Sequence, residues 1–194
     1  MPDVPAWFLG AATFAAGHAT QWVFAAFSRR DERRYGELSR IASEQRSNLI
    51  QLQDALDRYR EVADNMNTTI TVLASGRKQL GQSMPTHSER METFFPDTVL
   101  KPSPEWQARM EVEKLASRCI DREAVGHARD LIDAAKQISV QPVDNSYEGI
   151  LEHGRHITVQ MRAAEEAFRR RVETAHRAAN PRKWLASLDQ SGDD

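Results

Sequence analysis

From Val4 to Ser28 the chain carries no formal charge, and the block Ser28-Arg-Arg-Asp-Glu-Arg-Arg34 ends this stretch abruptly. As a helix rising 1.5 Å per residue, Ala6 to Phe27 reaches roughly 33 Å, close to the ~30 Å hydrocarbon core of a bilayer. Trp7 and Phe8 lie toward one end and Trp22, Phe24 and Phe27 toward the other, in the manner of interfacial aromatic belts. Arg29, Arg30, Arg33 and Arg34 follow at once, and the positive-inside rule puts that end in the cytoplasm. The pattern predicts an outside head and transmembrane anchor over residues 1–28, with the bilayer contacted through residues 6–27. Its apolar character rests on Ala and Gly and is interrupted by His18, Thr20 and Gln21, so the insertion free energy is modest. Three rivals stay open. A secretory signal would want a basic head, where this one has Asp3. A core helix buried all round is the second. A helix lying in the interface is the third, although the apolar residues circle the whole circumference.

After the arginines the pattern changes. Tyr35, Leu38, Ala42, Gln45, Leu49, Leu52, Leu56, Tyr59, Ala63, Met66, Ile70 and Leu73 alternate spacings of three and four. This is a helix with a packing seam, continuous or nearly so with the anchor, and Gly76 is its expected stop. Asp54 and Arg58, and Asp57 and Arg60, have the spacing of local ion pairs. Residues 77–102, with Gly81, Pro85, Pro96 and Pro102, read as a long connection whose Phe94, Phe95, Val99 and Leu100 tuck against the bundle. Ser103-Pro104-Glu105 is a helix start: an N-cap serine, a proline at the first helical position, an acid in the first turn. Trp106, Met110, Leu115, Ala116, Cys119 and Ile120 then make one apolar side. Asp121 caps a continuation with Val125, Ala128, Leu131, Ile132, Ala135 and Ile138, so a break falls near Asp121. Pro142 marks a turn, and Asn145 with Glu148 has the capping-box spacing. The last helix carries Tyr147, Ile150, Leu151, Ile157, Met161, Ala164, Phe168, Val172 and Ala175 on one side and ends before Asn180-Pro181.

These elements predict an all-α fold. The N-terminal transmembrane helix continues into a long helix, followed by an antiparallel three-helix bundle over residues 29–181, its second helix broken. Residues 182–194 form a flexible tail holding Trp184 and Leu185.

Composition narrows the picture only a little. A formal net charge of −2 with 28% charged residues gives no affinity for nucleic acid. Cys119 is the single cysteine, so no internal disulfide forms, which fits a reducing compartment. No phosphate-binding glycine loop, paired CxxC or HExxH is present. Glu173-Thr-Ala-His176 has the spacing seen in helical di-iron proteins, but it occurs once where those need it twice. His153 and His156, with Glu148 or Glu152 nearby, are the other metal-like grouping; a solvated face is the better reading of both. Cys119 reads as a small buried hydrophobe rather than a nucleophile. No catalytic, cofactor or metal residue is assigned.

The span Ala6 to Phe27, Arg29 to Arg34, the stretch Leu49–Leu56 (LIQLQDAL) and Leu115–Asp121 (LASRCID) together resemble a loosely defined set of uncharacterised bacterial, mostly actinobacterial, membrane proteins. That resemblance implies a single-pass anchor and a cytoplasmic helical region, and no catalytic residues.

The expected role is a membrane-anchored, non-enzymatic helical module for interaction or scaffolding. An enzymatic or metal-binding bundle using His153, His156, Glu173 and His176 is the alternative, and a phage-type membrane or lysis factor a third. Gly10 and Gly17, in small-xxx-small pairs with Ala6 and Thr13, together with Tyr35, Leu38 and Ile41, suggest a parallel homodimer.

Overall fold

A computed structural model describes residues 6–94, 102–140, 142–178, 180 and 183–185, with side chains described from residue 31 to 92 and from 102 onward within those ranges. Helices and turns account for the secondary structure there, with no strand among the described residues. Helix α1 runs Ala6–Gln79, α2 His87–Phe94, α3 Pro104–Ala116 and α4 Arg122–Lys136, followed by a 3-10 turn at Gln137–Ser139 and by α5 at Tyr147–Arg177. The chain divides into two compact units, Met1–Ser43 and Glu44–Asp194.

In the first unit the backbone is helical from Ala6, as the uncharged pattern predicts, and stays helical through the arginine block and Gly36. No helix among the described residues is long and apolar enough to cross a membrane. The expected crossing over residues 6–27 is not confirmed by that measure: alanine and glycine are weakly apolar, and His18, Thr20 and Gln21 dilute them further. The expectations placed on Trp7, Gly10, Gly17, His18 and Trp22, and on Phe94, Phe95, Val99 and Leu100, concern positions outside the described side chains. Tyr35 and Ile41 are exposed.

In the second unit four helical segments pack with alternating direction. Residues 44–79 of α1 lie antiparallel to α5: Arg46 meets Ala175, Asp57 meets Arg169, Asn67 meets Gly154 and Lys78 meets Glu148. They also lie antiparallel to α3, with Asn48 beside Arg118 and Tyr59 beside Glu105. Helix α4 returns antiparallel to α5, with Asp121 on Arg171 at one end and Gln137 on His153 at the other. The stretch 103–138, expected as one broken helix in a three-helix bundle, is thus two helices of opposite direction. The reversal follows from Ser117, which ends α3, and Asp121, whose carboxylate accepts the Ala124 N–H at 3.1 Å and restarts the chain.

The core is the predicted stripe for α1, α4 and α5. Leu49, Leu52, Leu56 and Tyr59 of α1, Leu131 and Ile132 of α4, and Ile157, Met161 and Phe168 of α5 are buried. Helix α3 departs from expectation: Trp106, Met110 and Ile120 are exposed, and Val112 is its buried residue.

The end of α1 differs as well. Gly76 stays helical with open space around it, and the stop comes at Gly81, whose φ of 67° suits glycine. The Gly81 N–H donates to the Lys78 carbonyl and the Gln82 N–H to the Arg77 carbonyl, closing a Schellman motif. Within the expected connection, α2 is held by a capping box. The Glu89 carboxylate accepts the Thr86 N–H at 2.7 Å, and the Thr86 hydroxyl accepts the Glu89 N–H at 3.3 Å. Trp184, assigned by its sequence to the tail, is buried at 4% exposure, and Arg46 stacks over its ring at 5.4 Å.

Candidate functional site

The antiparallel packing of α4 on α5 leaves an open groove of about 660 Å³ along their outer face. Ala134, Ile157, Ala164 and Ala167 lie along it, and His127, Asp130, Asp133, His153 and His156 supply its polar groups. Sequence spacing joins His153 to His156. His127 and the two aspartates join them only because α4 folds back, so no local pattern announces the grouping.

The hydrogen bonds set what these groups can do. His153 Nε2 lies 3.0 Å from the Gln137 carbonyl, which has no proton to give, so Nε2 is the protonated nitrogen there. His156 Nε2 lies 3.0 Å from Gln160 Nε2, so the amide donates and the ring nitrogen accepts. His127 sits between Glu123 at 3.9 Å and Asp130 at 3.7 Å. Among the described residues no group of three or more His, Cys, Asp or Glu side chains is placed to hold a metal ion.

Glu173 and His176 belong to a different depression of about 440 Å³, with Ile50, Gln53 and Arg169. Along α5, His156 and Glu173 are 17 positions apart, roughly 26 Å at 1.5 Å per residue. His153 with His156 and Glu173 with His176, the two groupings read from the sequence, thus lie in separate depressions. Glu173 instead bonds Arg177 at 3.0 Å, one turn on.

Cys119 is half-buried, and its thiol donates toward the Leu115 carbonyl at 3.6 Å. Burial, then the charge of Asp121, pushes the thiol up to about 11, so it is protonated at neutral pH. This agrees with its reading as a small hydrophobe.

The other charged groups tie helices together. Glu165, almost buried on α5, binds Arg60 of α1 and also Arg169 at 2.7 Å, while Arg169 reaches Asp57 of α1 at 3.3 Å. Asp121 takes the Arg171 Nε at 2.8 Å, and Arg171 also meets Glu123 at 3.0 Å. Arg46 donates from Nε to the Ala175 carbonyl at 3.0 Å and from Nη2 to the Ala178 carbonyl, neutralising the negative end of α5. Tyr59 is fully buried. Its hydroxyl donates to Glu105 at 3.3 Å, and burial, then Glu105, raises its pKa.

This arrangement is a helical body whose buried carboxylates, Asp121 and Glu165, each pair with arginines, with shallow surface grooves. No family model matches the chain, and no curated protein or solved structure is detectably similar to it.

Proposed function

We propose that the protein is a non-catalytic helical interaction module, brought to a membrane by the uncharged helix of residues 6–27, with its C-terminal bundle on the cytoplasmic side. The observation that carries this reading is a division of labour along the chain. Residues 4–28 carry no charge and end in an arginine block, whereas the second unit is a charged helical body tied by interhelical links such as Arg60–Glu165 and Asp121–Arg171. A parallel pairing of two chains through the first unit accompanies the proposal, since Tyr35 and Ile41 are exposed there.

The test is fractionation of cells making the full chain. The protein is expected with the membranes, resistant to high salt, and a reporter fused after Asp194 should be active in the cytoplasm. Extraction by alkaline carbonate would indicate a helix lying in the interface; retention indicates a crossing. Recovery in the soluble fraction, or a reporter active only after export, overturns the proposal. For the pairing, Leu38→Cys in a Cys119→Ser background should crosslink between chains more strongly than Arg40→Cys, and equal crosslinking removes it.

A further inference from the structure

Helix α3 is held differently from its neighbours. It buries one of its thirteen residues, whereas α4 buries six of fifteen and α5 nine of thirty-one. Its ion pair to α1, Arg58–Glu111 at 2.8 Å, joins side chains that are 54% and 49% exposed. Exposed pairs of this kind add little, because water screens them and both long side chains lose freedom. Its C-terminal turn is attached by side-chain amides. Gln45 and Asn48 each donate to the Arg118 carbonyl at 3.3 Å, and Gln45 accepts the Ile120 N–H at 3.0 Å. Against α4 the packing is incomplete. A cleft of about 370 Å³ opens between Val112 and Ala116 on one side and Ala128 and Ile132 on the other. Trp106 and Met110 of α3 are exposed, and Leu115 is half-buried.

We infer that α3 is a detachable strap: residues 103–120 open from the bundle as one unit while α1, α4 and α5 keep their mutual packing. A segment's local opening is governed by the apolar area and backbone order it must give up, and α3 gives up least of the four packed segments. Both hinges are present. Ser103, with Pro104 following, begins the helix, and the non-helical residues 117–121 end it, beyond which Asp121 stays locked to Arg171 and holds the start of α4 in place. Opening frees the Tyr59 hydroxyl from Glu105 and uncovers the α4 side of the cleft, Ala128 and Ile132. The surface so exposed is apolar and sized for a helix, since a helix has just left it.

Hydrogen exchange on the full chain tests this. Amides of residues 108–116 should exchange at least ~100-fold faster than those of residues 155–172, with a weaker dependence on urea. Val112→Ala removes the strap's one buried side chain and should speed exchange in α3 roughly tenfold while leaving α5 unchanged. Gln45→Ala, which leaves the core intact and removes the amide tie to the Arg118 carbonyl and the Ile120 N–H, should accelerate the reaction of Cys119 with a thiol reagent, because that sulfur lies at the end of the strap. Equal exchange rates and urea slopes in α3 and α5 would overturn the inference. So would a Val112→Ala effect shared by both helices, or labelling of Cys119 that follows global unfolding alone.

Discussion

The same substitution, glycine to alanine, should have opposite effects in α4 and α5. At Gly154 an added Cβ would lie 2.6 Å from Asn67 Oδ1 and 3.2 and 3.3 Å from Asn67 Nδ2 and Cγ. Asn67 cannot yield freely, since its Nδ2 donates to the Gly154 carbonyl at 3.1 Å and to the Thr158 hydroxyl at 3.2 Å. Displacing it forfeits two hydrogen bonds of about 0.5–1.5 kcal/mol each. Crowding of the α1–α5 interface adds about 1–3 kcal/mol. Removing a glycine from a helix interior returns only ~1 kcal/mol. Gly154→Ala should therefore destabilise the bundle by about 1–5 kcal/mol, lowering the melting temperature by roughly 2–20 °C for a chain of this size. A methyl added at Gly126 in α4 would meet no atom within 4 Å, so Gly126→Ala should keep the full propensity gain of ~1 kcal/mol. Far-ultraviolet circular dichroism during thermal and urea unfolding reads both. In an Asn67→Ala background the obstacle is gone, and Gly154→Ala should become stabilising. The reasoning fails if Gly154→Ala melts at or above the wild type, or if its effect has the same sign in both backgrounds.

Asp121→Ala removes the cap of α4 and one of the two carboxylates on Arg171, Glu123 remaining at 3.0 Å, so a loss of about 2–5 kcal/mol is expected, against at most ~0.5 kcal/mol for Arg177→Met at an exposed pair; urea midpoints compare the two. Hydrogen bonds from Arg77, then from the Thr86 N–H and hydroxyl, lower the Glu89 carboxyl from 4.5 to about 2. Because the folded value is the lower one, the tie holding α2 is complete above about pH 4.5 and is lost as pH falls toward 2. Protection of α2 amides should drop across that window, and Glu89→Gln should flatten the profile; a wild-type profile already flat would contradict it. Leu52→Asp and Phe168→Asp place a charge at positions 0% and 1% exposed and should cost several kcal/mol, whereas Ile50→Asp, at 43% exposure, should be mild. Comparable urea midpoints for all three would put the wrong face inside.

The seam from Leu49 to Ala63 and the α5 stripe from Ile150 to Ala175 are legible because each repeats over several turns, and burial has only one face to choose. The start of α3 is legible for a local reason: the Ser103 hydroxyl accepts the Trp106 N–H at 3.1 Å, as its residue types require. The start of α5 lies one residue beyond the expected Asn145. Ser146 is the cap, accepting the Gly149 N–H at 3.0 Å, and Asp144 holds that serine through its own carboxylate. Helix α2 is hidden by the prolines around it, although Thr86 and Glu89 carry the capping-box spacing. The apolar side of α3 misleads because Trp106 and Met110 suggest a core face, while direction and cover are settled by tertiary packing. Charge partners are the least legible. Arg58, Asp57 and Arg60 look like members of local pairs, yet they reach Glu111, Arg169 and Glu165 on other helices. The gathering of His127 with His153 and His156 likewise exists only after α4 reverses.

Arg46 reaches carbonyls 129 and 132 positions further along the chain, and Trp184 lies beyond them still. On the ribosome this contact cannot form until Ala175 and Ala178 have emerged. At ~5–20 residues per second, roughly 6–26 s separate synthesis of Arg46 from synthesis of its acceptors. During that interval Leu49, Leu52 and Leu56 have no α5 to cover them. The nascent chain thus presents a sticky helix well before it can bury it, and a stalled or prematurely terminated product would present it indefinitely. Holding chaperones should therefore engage ribosome-bound chains that stop before α5 far more strongly than chains released after Trp184.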